Sequence, residues 1–200
     1  MSFTAGKKGG VGKRCGILTY HYASNYGAFL QAYSFYIALS RRIPDHKVEF
    51  INYEPPNAIR MYLYTFVPWL KYGQMLRELY HFKKNIKLFY QYISFVLARK
   101  MFLPTGQKIP YNNLNKAVEK VNKLYDVVVL GSDELWKINS LRPFPNLYWL
   151  SKGVSALKMS FAPSANTTDF DSLSNVEYFY QKHRLNLHVS NHSLLFSTPK

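Results

Sequence analysis

Three short stretches of this sequence gather side chains suited to a polar or phosphorylated ligand. The first carries His21, Ser24, Asn25 and Gly27; the second Ser132, Asp133 and Trp136; the third Ser164 and Asn166. His21 and Asp133 are the candidates for acid–base work, because an imidazole titrates near neutrality and a carboxylate can accept a hydroxyl proton. Asn25, Ser132 and Ser164 offer amide and hydroxyl groups, Gly27 a backbone without a side chain, and Trp136 an aromatic face of the sort that holds sugars beside polar groups. Each also has a plain structural reading. Asn25 is equally a turn residue and helix cap, Gly27 a position for a backbone conformation that other residues resist, and Gly131-Ser132-Asp133 a strand-to-helix cap. His21 reads as a hydrogen-bonded loop residue and Trp136 as a packing residue. Convergence on one edge of a sheet is what would turn these residues into a site.

The elements that would produce such convergence are legible. Cys15 to Tyr20 is a short apolar run of strand length that ends in the polar loop His21 to Gly27. Phe29, Leu30, Tyr33, Ile37 and Ser40 then recur at helical spacing over Ala28 to Ser40, and Pro44 stops that element. Val48 to Ile51 is a second strand, closed by Glu54-Pro55-Pro56, which completes a βαβ unit. After Pro104 and Pro110, Leu114, Ala117, Val118, Val121 and Leu124 mark an amphipathic helix over Asn113 to Leu124. Tyr125 to Leu130 follows as a nearly continuous apolar strand of parallel-sheet type, and runs into Gly131 to Trp136. A fourth strand, Leu157 to Phe161, ends in Ala162 to Asn166. Four strands thus each lead into a polar loop, and in an open parallel sheet such loops face one crevice outside the carboxyl ends of the strands.

The reading is therefore α/β: a Rossmann-like parallel sheet with flanking helices over residues 15–166. It is preceded by a disordered basic leader, 1–14, and followed by an irregular or truncated tail, 167–200. The chain of 200 residues is 48% hydrophobic, enough for one ordinary core. Its 26 Lys and Arg against 11 Asp and Glu give a net charge of +15, so an anionic partner is expected. Cys15 is the only cysteine, which excludes an internal disulfide and any multi-cysteine metal site; no metal is expected. Gly6 to Lys13 imitates a phosphate loop but lacks its first glycine and the closing Ser or Thr, and precedes a strand. No secretory segment and no membrane-spanning run is read, so the expected location is cytoplasmic, with peripheral attachment at the inner face of a membrane left open.

An insertion at about 59–103 has a different character. Basic and aromatic residues alternate there with a single acid, Glu78, and Met75, Leu79, Phe82, Ile86, Phe89, Ile93 and Val96 form a helical seam. Such a seam covers a sheet or a second helix, or else meets a partner, a second copy or an anionic membrane. Charge and aromatics also suit nucleic acid, but no nucleic-acid-binding signature accompanies them, and that partner is unlikely.

Three motifs carry a family resemblance. Gly16-Ile-Leu-Thr-Tyr-His21 with Asn25-Tyr-Gly-Ala-Phe-Leu-Gln31, Tyr125-Asp-Val-Val-Val-Leu-Gly-Ser-Asp-Glu-Leu-Trp136, and Lys158-Met-Ser-Phe-Ala-Pro-Ser164 resemble, in order and spacing, the N-terminal half of the polysaccharide pyruvyl transferases. Glu134 stands where that family usually has Gln, and Pro163 with Ala165-Asn166 departs from its usual continuation. The resemblance implies one half of a GT-B-like, two-domain transferase of cell-surface or exopolysaccharide synthesis, and a chain that stops short of the second half. It implies phosphoenolpyruvate as donor substrate with no cofactor, and a glycan or lipid-linked sugar as acceptor. His21, Asn25, Gly27, Gln31, Ser132, Asp133 and Trp136 would then line the acceptor side. The alternative is a catalytically inactive fragment that acts as an interaction or membrane-surface module, with self-association among its expected properties.

Overall fold

A computed structural model describes residues 12–56, 82–136 and 145–163. Most of the basic leader, the first part of the insertion and the tail lie outside the described residues. The elements are β1 (Arg14–Leu18), α1 (Tyr26–Arg42), β2 (Lys47–Asn52), α2 (Phe82–Phe102), β3 (Thr105–Lys108), α3 (Leu114–Leu124), β4 (Val127–Asp133), a single 3₁₀ turn at Leu147–Trp149, and β5 (Leu157–Pro163). All strand pairs are parallel, in the order β3-β2-β1-β4-β5. The chain therefore steps outward from β1 to β3 and returns to the far side of β1 for β4, which puts the switch point between β1 and β4.

Strand alternation divides the interior in two. Cys15, Ile17, Val48, Phe50 and Val129 face α1, where Ala32 is buried among them and Phe29, Tyr33, Phe35 and Leu39 pack around. Leu18, Ile51, Val128 and Leu130 face Ala117 and Val121 of α3. Gly131 matters to the first layer: a Cβ there would come within 2.8 Å of the Phe35 ring, which instead stacks on Phe161 at 5.0 Å.

α2 lies beside α1, with Phe95 against Tyr26 at 4.8 Å and Phe102 against Phe29 and Tyr33 at 6.5 and 5.7 Å. These contacts progress in the same direction along both helices, so the turns of α2 before Phe95 continue past the start of α1 for about 20 Å.

Four differences from the sequence reading have physical causes. Arg14, assigned to the leader, opens β1, and Lys13 already accepts the amide of Lys47 through its carbonyl. Gly131, Ser132 and Asp133, read as loop, continue β4, because β5 runs alongside and pairs Gly131 with Phe161 and Asp133 with Pro163. β3 is a polar edge strand that, among the described residues, pairs with β2 alone. The helical seam is not the buried face of α2: among its described members Phe89 is exposed and Ile86, Ile93 and Val96 are half-buried, whereas Phe95 is buried.

Candidate functional site

β1 and β4 are neighbours and parallel, so the loops after them leave the same edge side by side. They are also joined. The Tyr20 hydroxyl lies 3.2 Å from the carbonyl of Glu134 and 3.1 Å from that of Leu135. A floor of aromatic residues supports both loops. Tyr148 meets Tyr20 edge-on at 4.8 Å and Tyr53 at 5.4 Å, and its hydroxyl donates to the Tyr53 carbonyl at 3.1 Å. The Tyr53 hydroxyl in turn accepts the amide of Leu147 at 3.3 Å. Burial, followed by the neighbouring Tyr22, Tyr20 and Tyr53, pushes the Tyr148 phenol well above its ordinary pKa, so it stays a neutral hydrogen-bond donor.

Asn25 caps α1: its Oδ1 accepts the amide of Ala28 at 2.7 Å, and the residue is exposed. This satisfies one of the first amides of the helix, while helix geometry leaves those of Tyr26 and Gly27 without an intrahelical acceptor. Gly27 has no left-handed backbone conformation to explain it, contrary to that reading. It is helical, and a Cβ would meet only Asn25 Oδ1 at 3.5 Å, an ordinary contact. What the glycine leaves is open space at a helix N-terminus, where backbone can approach an anion or a hydroxyl closely. Gln31 lies one turn further along the same face, exposed.

Asp133 ends β4, half-buried. Its Oδ1 accepts the amide of Glu134 at 2.7 Å, which leaves further lone pairs of the carboxylate for another donor. By alternation with Val127, Val129 and Gly131 it falls on the face that α1 covers. Ser132 precedes it in the strand, and its side chain is outside the described ones, as are Ser164 and Asn166. Trp136 is a core residue: its ring stacks on Trp149 at 6.1 Å and its indole N–H donates to the Tyr148 carbonyl at 3.2 Å. The strand leading to Ser164 is strained at its end, where Ala162 has φ 46°, in the left-handed region.

His21 is not open to solvent. Its imidazole is 3% exposed and stacks on Phe50 at 5.5 Å, with Nδ1 3.2 Å from the Thr19 carbonyl. Nε2 lies 3.4 Å from Oε1 of Glu54, close enough for charge pairing but without a well-aligned hydrogen bond. Glu54 is the residue that the sequence reading passed over, as a mere strand terminator. A carboxylate directly after β2 was already on the right edge, and that position is the signal that marks it. Burial raises its pKa, but His21, first by its side-chain contact and then by charge, together with Arg99 and Lys108, outweighs this, and the net shift is downward. Arg99 also donates to the Tyr22 carbonyl at 2.7 Å, so α2 braces the loop that holds His21. The switch-point edge thus carries exposed Asn25, Gly27 and Gln31 at the start of α1, half-buried Asp133 at the end of β4, and a brace of buried His21 against half-buried Glu54.

Two residues are removed from chemistry. Burial pushes the Cys15 thiol up to about 11, which keeps it protonated and inert. Lys158, within the third motif, pairs in register with Val128 and donates to the Ser151 carbonyl at 3.1 Å, below the edge where the loops converge. Among the described residues, no group of three His, Cys, Asp or Glu side chains could hold a metal ion.

Comparison of the chain with family models, with curated proteins and with solved structures returned no match. The α/β fold stands on the sheet itself: five parallel strands with helices packed on both faces.

Proposed function

We propose that this domain forms the acceptor side of a polysaccharide pyruvyl transferase-type enzyme, one that moves a pyruvyl group from phosphoenolpyruvate to sugar hydroxyls as a ketal. The observation that supports this reading best is the junction of the first two motif loops through Tyr20, at the switch point of a parallel sheet.

The reaction requires two acceptor hydroxyls to add to the enol carbon of the donor while the carbon–phosphate oxygen bond breaks. One hydroxyl proton ends on the methylene carbon, which becomes a methyl group, and the other leaves with the phosphate. An acceptor-side surface must therefore fix two neighbouring hydroxyls and draw on their protons. In this reading the Asp133 carboxylate accepts from one hydroxyl. The Asn25 amide nitrogen and the first amides of α1 donate to sugar oxygens, and Gln31 reaches the same face. His21 is a positioning residue, because its burial keeps it from a ligand while its ties to Thr19, Phe50 and Glu54 set the path of the loop.

Phosphate release from phosphoenolpyruvate with a panel of lipid-linked and nucleotide sugars tests this directly. Release that depends on an acceptor and falls about a hundredfold or more in Asp133→Ala, with the unfolding transition unchanged, is the expected result. A folded chain that binds no acceptor in the panel, or one whose release ignores Asp133, defeats the proposal.

A further inference from the structure

We infer that the outward face of α2 docks on an anionic lipid bilayer, lying in the headgroup region and not crossing it. The inference does not depend on the reading of the switch-point loops. It starts from which residues α2 leaves uncovered. The helix is anchored through Phe95 and Phe102 against α1. On its opposite side Tyr90 is 67% exposed, Leu97 53% and Met101 73%. Ile86 before Tyr90 and Ile93 after it, both partly exposed, continue the row at spacings of four and three, so the five residues form one apolar stripe along the helix. Phe89 at one margin is exposed as well. Large apolar side chains in a continuous exposed row are unusual on a water-facing surface and mark an interaction face.

Charge selects the occupant. α2 contains Lys83, Lys84, Lys87, Arg99 and Lys100 and no Asp or Glu. Lys87 and Lys100 are exposed near the stripe, with alkyl stems able to lie along it and ammonium groups able to reach beyond. A second copy of the chain on this face would bring two uniformly basic helices together without a counter-charge, an unfavourable pairing for a chain of net charge +15. An anionic bilayer supplies both missing parts: headgroups for the lysines and an acyl boundary for Tyr90, Leu97 and Met101. No helix among the described residues is long and apolar enough to cross a membrane, which fits an interfacial position. Because the turns before Phe95 continue past the start of α1, such docking would hold the switch-point edge near the lipid surface.

The test is sedimentation of the whole chain with vesicles of phosphatidylcholine containing about 30 mol% phosphatidylglycerol, against vesicles of phosphatidylcholine alone. The expected result is binding at least about tenfold tighter to the anionic vesicles, and a loss of about tenfold or more in the double variant Leu97→Glu, Met101→Glu. Both substituted positions are exposed, and thermal unfolding of the variant verifies that it folds; Leu97→Gln, Met101→Gln gives a second, uncharged version. Binding that the glutamine pair leaves intact would show attraction by charge alone and overturn the assignment to the stripe. Equal binding to both vesicle types would overturn the anionic choice. A dimer found by light scattering without lipid, and converted to monomer by either double variant, would assign the face to a second copy instead.

Discussion

Two regions of this molecule are rich in aromatic and aliphatic side chains, and they put them to opposite use. Beneath the switch-point loops, Tyr20, Tyr22, Tyr53, Trp136, Tyr148 and Trp149 are all buried, and the polar ends of Tyr20, Tyr53, Trp136 and Tyr148 find partners in nearby carbonyls or amides. On α2, Tyr90, Leu97 and Met101 stand in the open. The difference lies in what surrounds each group and not in its composition. The floor closes because β1, β2, β4 and the 3₁₀ turn approach it from several sides, whereas among the described residues α2 is covered on the side of α1 and leaves Tyr90, Leu97 and Met101 exposed. Aromatic content thus indicates a capacity for burial, and topology decides whether it is used for a core or for a surface.

The largest break in this comparison comes from the floor. Trp149 is 1% exposed and stacks on Trp136. Trp149→Ala removes a large buried side chain from a region closed on all sides, where little can collapse into the void, and should cost about 3 to 5 kcal/mol. Chemical denaturation should show the midpoint lowered accordingly. A loss under about 1 kcal/mol would mean that the floor is as loosely held as the outer face of α2.

How much of this was legible beforehand follows from the same contrast. β1, β2 and β4 announced themselves by short apolar runs, since strands covered on both faces need no polar alternation; β5 was read from a similar run, although as an edge strand it is only half-buried. The rule that parallel strands deliver their loops to one edge placed Asn25 and Gly27 after β1, where they open α1, and Asp133 after β4, of which it is instead the last residue. β3 was not legible, because Thr105-Gly-Gln-Lys108 is polar and exposed and becomes a strand only through β2. Nor was the burial of Leu147 to Leu150, which depends on Tyr20, Tyr53 and Trp136 from distant parts of the chain. For α2 the helical period was visible, but not which side is buried. The seam of Ile86, Phe89, Ile93 and Val96 reads as an inner face, yet it is Phe95 that meets Tyr26. Trp136 shows the converse. Its type and place beside Asp133 suited a sugar platform, and only the stack on Trp149 shows where its ring is spent.

A smaller effect is expected where the two regions meet. Glu54 stands between His21, on the loop above the floor, and the positive charge of Arg99 from α2. Its burial opposes ionisation, but His21, Arg99 and Lys108 prevail, so its folded pKa lies below the ordinary 4.5. A carboxyl with a depressed folded pKa binds its proton more readily when unfolded. Its stabilising contribution is therefore complete above about pH 4.5 and is lost as the pH falls through the lower folded value. Stability measured from neutral pH down to about pH 3 should decline in the wild type, and Glu54→Gln should remove part of that decline while lowering stability at neutral pH. An unchanged acid limb in the variant would mean that the brace between loop and α2 carries no net electrostatic stabilisation.

The smallest effect sharpens the comparison most. Leu97 is as apolar as any residue of the core, and by composition alone Leu97→Gln would be placed beside Trp149→Ala as a damaging change. Because more than half of its surface is already in water, the folded chain has little burial to lose, and leucine and glutamine differ little in helix propensity. The expected change in stability is within about 0.5 kcal/mol, measured by the same denaturation as for Trp149→Ala. A cost of about 2 kcal/mol or more would show that Leu97 is covered in solution by another part of this chain or by a second copy, since only buried apolar surface is lost at that rate. Repeating the measurement at several protein concentrations separates those two causes, because a contact between copies makes stability depend on concentration and a contact within one chain does not.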